Sequence, residues 1–166
     1  MIDEIWTTIA SEFSDLPDVT TITIITVRLV IAALLGGILG YDRERKGRSA
    51  GVRTHMLVAV GAALFIIGPM QAGMQIADMS RVIQGVVQGI GFLGAGAIIV
   101  RTRRHQVEGL TTAASIWATA GIGVICGLGL EATAILSTVL VLIILAVVPF
   151  VLPRASAGQD EKADMR

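Results

Sequence analysis

Three carboxylates stand in two short basic stretches of the chain: Asp42, Glu44 and Glu108. Carboxylates are ligands that hard divalent cations prefer, and water can complete the coordination shell. Eight Lys and Arg residues lie in the same stretches, at 41–54 and 101–110. Ion pairs within the protein are therefore the simpler use of these carboxylates, and we expect neither a metal site nor a cofactor.

No catalytic set can be assembled from the sequence. The two histidines, His55 and His105, lie in or beside the basic stretches, and no Ser or Cys stands at a spacing that pairs it with either. The glycines between Gly89 and Gly94 spell G-x-G-x-x-G, but a dinucleotide site needs a preceding strand, whereas these lie inside an apolar segment. We expect a protein that is not an enzyme.

The amino-acid composition agrees with this lack of a catalytic set of residues. Hydrophobic residues make up 54% of the 166 residues and charged residues only 16%, against roughly 25% in an ordinary soluble domain. The single cysteine, Cys126, excludes a disulfide scaffold, and the lack of a basic domain in the sequence argues against nucleic-acid binding. A multi-spanning membrane protein is the class that remains.

The sequence predicts an all-α integral membrane protein with five transmembrane helices. A helix needs about 20 residues to cross ~30 Å of hydrocarbon, and five segments meet or approach this length. The third and fourth are rich in Gly and Ala, and short polar segments bracket them. The predicted spans are 22–40, 55–72, 83–100, 111–128 and 132–152.

Lys and Arg residues alternate between two sides of these spans. Segments 41–54, 101–110 and 153–166 carry five, three and three of them, whereas the N-terminal segment, the loop 73–82 and the turn at Glu131 carry none, one and none. Because cytoplasmic loops collect basic residues, we expect the N-terminus outside and the C-terminus in the cytoplasm.

The two ends of the chain are predicted to be short appendages. Residues 1–21 form an external segment whose apolar side chains fall on one helical stripe, which is typical of an interfacial helix. The stripe consists of Ile2, Ile5, Trp6, Ile9, Phe13 and Leu16. This helix either contacts a partner or lies on the rim of its own protein. We prefer the second interpretation. Residues 153–166 are expected to form a short, frayed cytoplasmic tail without a soluble domain.

Polar and small residues mark faces of the third and fourth spans. The third carries a stripe of Gln84, Gln88, Gly91 and Ala95, with Gly85 and Gly89 beside it. The fourth carries Thr112, Ser115, Thr119, Gly123 and Cys126. Small residues let helices approach closely and buried amides need partners. We therefore expect the third span to be central and to face the fourth, through hydrogen bonds between helices or around an ion pathway, while the fifth faces lipid.

The two basic stretches resemble each other at an offset of 58 residues. Both end in G-[VL]-x-T, at 51–54 and at 109–112. This pattern predicts two parallel helix–basic loop–helix hairpins followed by a fifth helix. In each hairpin the Gly would make the turn and the Thr, Thr54 or Thr112, would cap the next helix.

Arg28 lies inside the first span, where a charge costs at least ~2.5 kcal/mol. We expect it to point into the bundle and to hydrogen-bond Gln84, Gln88 or a backbone carbonyl, with Asp78 as a further charge partner. A structural clamp and a role in ion handling both remain open for this residue.

Four stretches of the chain resemble the MgtC/SapB family of bacterial inner-membrane proteins. They are A-A-L-L-G-G-I-L-G-Y-D-R-E-R at 32–45, A-G-V-R-T-H-M-L-V-A-V-G-A-A at 50–63, G-I-G-F-L-G-A-G-A-I at 89–98 and G-L-T-T-A-A-S-I-W at 109–117. The chain departs from the family at Asp42, where Glu is usual, and at Glu108, where Arg is usual. Only 13 residues follow Pro153, so we expect no soluble C-terminal domain of the kind that some members carry.

The resemblance implies a location in the bacterial inner membrane and a role in adaptation to low magnesium. In pathogens it also implies a role in survival inside host cells. The leading hypothesis is a non-enzymatic membrane regulator that contacts the lipid bilayer, other membrane proteins and further copies of itself. The alternative is an ion channel or transporter that uses the polar faces of the third and fourth helices.

These arguments yield two sets of residues. The candidate functional residues are Arg28, Asp42, Arg43, Glu44, Arg53, Thr54, Gln84, Gln88, Thr111, Thr112 and Ser115. The candidate helix-packing residues are Gly36, Gly40, Gly85, Gly89, Gly91, Gly94 and Gly96.

Overall fold

The computed structural model describes residues 1–15, 18–101 and 106–151, and these form a helical bundle. The elements in chain order are α1 (Ile2–Glu12), α2 (Val19–Arg45), α3 (Val52–Gln71), α4 (Met79–Gly96), β1 (Ile99–Arg101), β2 (Gln106–Glu108), α5 (Leu110–Gly127) and α6 (Glu131–Val151). A short 3₁₀ turn, Ile76–Asp78, precedes α4. The predicted tail and Leu16 lie outside the described residues.

The described residues also include one short antiparallel hairpin within this all-α fold. Ile99 pairs with Glu108 and Arg101 pairs with Gln106. The third predicted span ran to residue 100, but its helix ends at Gly96. The glycines near this end weaken the helix, and the β-branched residues that follow favour extended backbone.

Four of the helices among the described residues are long and apolar enough to cross a membrane, so the chain is a multi-pass membrane protein. They are Val19–Arg45, Val52–Gln71, Leu110–Gly127 and Glu131–Val148. The third predicted span corresponds to α4, which is not among these four because Arg81, Gln84 and Gln88 lower its mean hydropathy. Five crossings therefore remain a prediction.

The first residues of the helices are set by different caps. Asp18 precedes α2, and its Oδ1 accepts from Thr21 N at 2.8 Å, which lowers the pKa of this exposed carboxyl. The predicted turn glycines, Gly51 and Gly109, are the residues that precede α3 and α5. The prediction that Thr54 and Thr112 cap these helices is wrong, since both lie inside the first helical turn.

Helix α5 lies at the centre of the bundle, where it packs against α2, α3, α4 and α6. Its glycines allow this, because a Cβ at Gly123 would overlap the carbonyl oxygen of Ala59 and one at Gly127 would lie 2.8 Å from that of Ala63. The predicted stripe of the fourth span is indeed buried. It faces α3, however, and the prediction that it faces the third span is wrong.

Helices α2 and α3 form a hairpin in which the two backbones approach each other equally closely. A Cβ at Gly36 would lie 2.6 Å from the His55 carbonyl oxygen, and one at Gly40 would lie 2.6 Å from Val52 Cα. These two predicted packing glycines therefore lie directly at a helix contact. Helix α6 covers α2 and α5 from the side and leaves an exposed outer face, as expected of a helix that faces lipid.

The contacts also give the directions of the helices. Gly123 meets Ala59 and Gly127 meets Ala63, so α3 and α5 run parallel, whereas the Gly40–Val52 contact makes α2 antiparallel to α3. Gly94, late in α4, meets Ala113, early in α5, and Lys46 after the end of α2 meets Leu145, late in α6. Consecutive helices from α2 to α6 therefore alternate in direction. We call the end where α2 and α6 finish and α3 and α5 begin the basic end, because it carries the first basic stretch.

Helix α4 is peripheral, which corrects the prediction of a central third span. Among the described residues nothing lies within 4 Å of a Cβ built at the predicted packing glycines Gly85, Gly89, Gly91 and Gly96. Gln84 and Gln88 are exposed. Only Gly94 makes the predicted kind of contact, 3.7 Å from Ala113 Cβ. Gly85 and Gly89 instead border a cavity of about 530 Å³ beside α3.

The N-terminal helix α1 exposes its apolar stripe. Ile2, Ile5, Trp6, Ile9 and Phe13 are between 44% and 78% exposed, and no residue of α1 is buried. The preferred interpretation, a helix packed on the rim of its own protein, is therefore wrong. An exposed stripe of this kind suits the membrane interface.

Candidate functional site

A buried charge lies at the basic end of the bundle. Arg43, in the last turn of α2, is only 2% exposed. Its Nη1 lies 3.9 Å from Asp42 Oδ2, and its carbonyl oxygen accepts from the backbone N–H of Arg48 at 3.0 Å. A buried guanidinium needs partners, because burying an unpaired charge is costly. The polar groups around Arg43 therefore define the candidate site.

Asp42 pairs mainly with Lys46, one helical turn further along. Lys46 Nζ lies 2.8 Å from Asp42 Oδ1, whereas Arg43 Nη1 is 3.9 Å from Asp42 Oδ2. Lys46 Nζ also donates to the carbonyl oxygen of Leu145 at 2.9 Å. This lysine therefore ties the end of α2 to α6, a contact that the sequence analysis missed because nothing in the spacing links the two helices.

Glu44 caps a helix to which it does not belong. Its Oε2 accepts from Val52 N at 2.9 Å, at the start of α3 where backbone donors lack partners. A carboxylate is favourable there because it also faces the positive end of the helix dipole. The cap fixes the turn between α2 and α3, so Glu44 acts as a structural acceptor.

His55 connects α3 to the central helix. Its Nδ1 lies 2.9 Å from the Gly51 carbonyl oxygen and its Nε2 lies 3.2 Å from Ser115 Oγ. Because a carbonyl can only accept, Nδ1 carries a proton. Ser115 Oγ also lies 2.8 Å from the Thr112 carbonyl oxygen, and Thr119 Oγ1 donates to the Ser115 carbonyl oxygen at 2.8 Å. The polar stripe of α5 thus forms local and interhelical hydrogen bonds.

The pairing of His55 with Ser115 was not found from the sequence. The two residues are 60 positions apart, and the only signal was that Ser115 belongs to a polar stripe. A Ser beside a His is the arrangement of an activated nucleophile. Here His55 is 0% and Ser115 is 2% exposed, so the pair is enclosed by packed helices and serves to join them.

Arg28 occupies the opposite end of the bundle. Its Nη1 donates to the Gly127 carbonyl oxygen at 2.9 Å, which confirms the prediction of a backbone carbonyl partner. A Cβ at Gly129 would overlap the guanidinium, so this glycine leaves room for it. Gln84 and Gln88, which are exposed on α4, are not the partners.

Three of the remaining candidate functional residues are exposed rather than part of the buried cluster. Arg53, Thr54 and Thr111 are exposed near the starts of α3 and α5. Glu108 lies in β2. Among the described residues no group of three or more His, Cys, Asp or Glu could hold a metal ion.

The sequence matches the MgtC family over residues 29–152. The chain belongs to the MgtC family. The resemblance inferred from the four stretches is thereby confirmed, and the match covers α3, α4, α5, α6 and most of α2. The buried cluster at the basic end lies entirely within it.

Three relatives of this MgtC family protein show how far the similarity extends. SrpB of Synechococcus elongatus is 44% identical over 133 residues, which are 74% of this chain and 73% of SrpB. YhiD of Escherichia coli K12 is 41% identical over 128 residues, 73% of this chain and 59% of YhiD. MgtC of Salmonella typhimurium LT2 is 44% identical over 116 residues, 70% of this chain and 48% of MgtC. The chain thus spans about half the length of MgtC, and no solved structure matches it.

Proposed function

We propose that this MgtC family protein is a non-enzymatic regulator of magnesium-related homeostasis in the bacterial inner membrane. The observation that carries the proposal is the family match over residues 29–152. YhiD, named for a proposed role as a magnesium transporter, supplies the link to magnesium. The enclosed His55–Ser115 pair favours a structural use of the polar residues over catalysis.

Contact with other membrane proteins is the proposed mode of action. Gln84 and Gln88 are exposed on α4 beside glycines that no described residue covers. An amide that faces hydrocarbon gains a hydrogen-bond partner when another helix docks against it. A different membrane protein or a second copy of this chain would supply that helix.

The proposed arrangement has five crossings, with α4 as the third, the N-terminus outside and the basic end in the cytoplasm. The alternating helix directions support it, and so does a repeated contact. Gly36 meets His55, and the two residues that lie 58 positions after these, Gly94 and Ala113, also meet. We expect a reporter fused after residue 166 to be active only in the cytoplasm, with a fusion in the loop 73–78 as the periplasmic control. Periplasmic activity of the C-terminal fusion would overturn this arrangement.

The function is tested by growth at limiting magnesium in a bacterium from which the MgtC family gene has been deleted. We expect the wild-type chain to restore growth and Asp42→Ala to restore it at least several-fold less, because this change breaks the tie to Lys46. Arg53→Ala tests the exposed part of the basic end, and exposed Arg45→Ala serves as its matched control. Failure of the wild-type chain, at verified membrane expression, would contradict the proposal.

The second candidate function is an ion channel or transporter, which the name of YhiD favours. The polar faces of α4 and α5 do not meet, since Gln84 and Gln88 are exposed whereas Ser115 is buried against α3. We therefore favour the regulator. Magnesium flux into liposomes above that of protein-free liposomes would reverse this preference.

A further inference from the structure

A groove runs between α3 and α4 on the outside of the bundle. The cavity of about 530 Å³ described above continues into a second cavity of about 370 Å³, because Val58 and Leu93 line both. The α3 residues along the groove run from Thr54 to Phe65, which is ~16 Å at a rise of about 1.5 Å per residue. Both volumes lie in the range of about 300–1,000 Å³ that is typical of ligand pockets. The groove therefore has room for a ligand.

The two ends of the groove differ in polarity. The part that reaches Phe65 and Val82 is lined only by apolar side chains and glycines, whereas the part at the basic end of the bundle includes Ser49 and Thr54. Beyond the apolar part, Ile66 and Met79 belong to one buried cluster, so α3 and α4 are packed together there. A ligand that fits this groove has an apolar chain and a polar end.

The polar end of the groove is also positively charged. Segment 46–54 supplies Ser49 and Thr54 to the lining and contains three basic residues but no acidic one. Two of the basic residues, Arg48 and Arg53, are exposed and adjoin these lining residues in the sequence. The carboxylate of α2 that caps α3 also reaches this segment, but it is already engaged by a backbone N–H. Basic residues at one end of a cleft between membrane helices are typical of a site for an anionic lipid headgroup.

The length of the groove distinguishes a lipid from a helix. A transmembrane helix of a partner would extend across the whole hydrocarbon core of ~30 Å. The groove covers about half of that thickness, which is the depth of one leaflet, and the packed cluster of Ile66 and Met79 lies beyond its apolar part. An acyl chain of one leaflet therefore matches the groove better than a second helix does.

We propose that the groove between α3 and α4 binds one anionic phospholipid, with an acyl chain along its apolar part and the phosphate beside Ser49 and Thr54. Arg48 and Arg53 supply the positive charge for the headgroup. The site is separate from the amides of α4 that the proposed function uses, because neither glutamine of α4 lines the groove. The proposal goes beyond that function, and its test needs no magnesium phenotype.

The test counts the phospholipids that stay bound to the full chain in native mass spectrometry. The chain is purified in dodecyl maltoside and incubated with micelles that contain either phosphatidylglycerol, which is anionic, or phosphatidylethanolamine, which has no net charge. We expect one phosphatidylglycerol per chain, retained at least tenfold more than phosphatidylethanolamine.

Gly89→Phe tests the apolar part of the groove. No described residue lies within 4 Å of a Cβ at Gly89, so the ring would occupy the space of the acyl chain and should lower phosphatidylglycerol retention at least fivefold. Gly91→Phe is the matched control, because Gly91 is equally open on the same helix, lines neither cavity and lies about 200° around the helix axis. It should leave retention unchanged.

Arg53→Gln tests the polar end. It should lower the preference for phosphatidylglycerol over phosphatidylethanolamine at least threefold, because one of the two headgroup charges is lost. Arg45→Gln removes the same charge from α2, where Arg45 is exposed and lies over the Tyr41 ring, and should leave the preference unchanged.

The proposal is overturned if the wild-type chain retains neither lipid or retains both equally, or if either control variant acts like its partner. Dimers in the same spectra that Gly89→Phe dissociates, with lipid retention unchanged, would assign the groove to a second copy and would also overturn it. If Gly89→Phe does not fold, the wild-type preference and the two arginine variants decide.

Discussion

Gly123→Ala is expected to lower the free energy of unfolding by about 2–3 kcal/mol, the upper part of the range for overpacked sites. The added Cβ would overlap the Ala59 carbonyl oxygen, which is backbone and cannot turn aside. The only relief is to separate α3 from α5, and this would also stretch the His55–Ser115 contact of 3.2 Å. Thermal or denaturant unfolding in mild detergent measures the change.

Gly121→Ala provides the control on the same helix. Among the described residues nothing lies within 4 Å of a Cβ at Gly121, so this variant changes the helix without touching a neighbour. It should be neutral or more stable by up to about 1 kcal/mol, the difference in helix propensity between Ala and Gly. Equal stability of the two variants would show that α3 and α5 do not approach as closely as described.

Arg28→Leu is expected to lower the free energy of unfolding by about 1–2 kcal/mol. A hydrogen bond from a charged group contributes about 1.5–3 kcal/mol to the free energy of unfolding. Part of this loss is offset because Leu is more favourable than Arg in hydrocarbon. The lost bond is the one to the Gly127 carbonyl at the end of α5. Arg28→Lys, which keeps a donor, should lose less.

The same variant separates a clamp from a role in ion handling. A clamp predicts lower stability together with growth that recovers when expression is raised to the wild-type level. Ion handling predicts wild-type stability with lost growth at limiting magnesium. We expect the first pattern, and exposed Arg81→Leu on α4 should change neither quantity.

The existence of the helices followed from the sequence because long apolar runs leave the backbone few alternatives in a membrane. The starts of α3 and α5 followed from Gly51 and Gly109, since Gly109 has a φ of 94° that favours a residue without a Cβ. The close contacts of Gly36 and Gly40 could also be predicted. In each case the signal lies within a few neighbouring residues.

The neighbours of each helix could not be predicted in the same way. The stripe at Thr112 and Ser115 indicates a buried face, but the same small and polar residues could pack against α3 or α4 equally well. The pairing of His55 with Ser115 depends on the direction in which α3 crosses α5, which no local pattern encodes. Gln84 and Gln88 were misplaced for this reason, because amides in an apolar helix were taken to mark its buried side.

The peripheral position of α4 determines which part of the bundle can move most easily. Of its residues only Met79 and Gly94 are buried, whereas α5 is buried along most of its length. Local opening costs least where few side chains are enclosed. The body of α2, α3, α5 and α6 therefore acts as the fixed frame, and α4 is the part that can shift against it without breaking the central contacts.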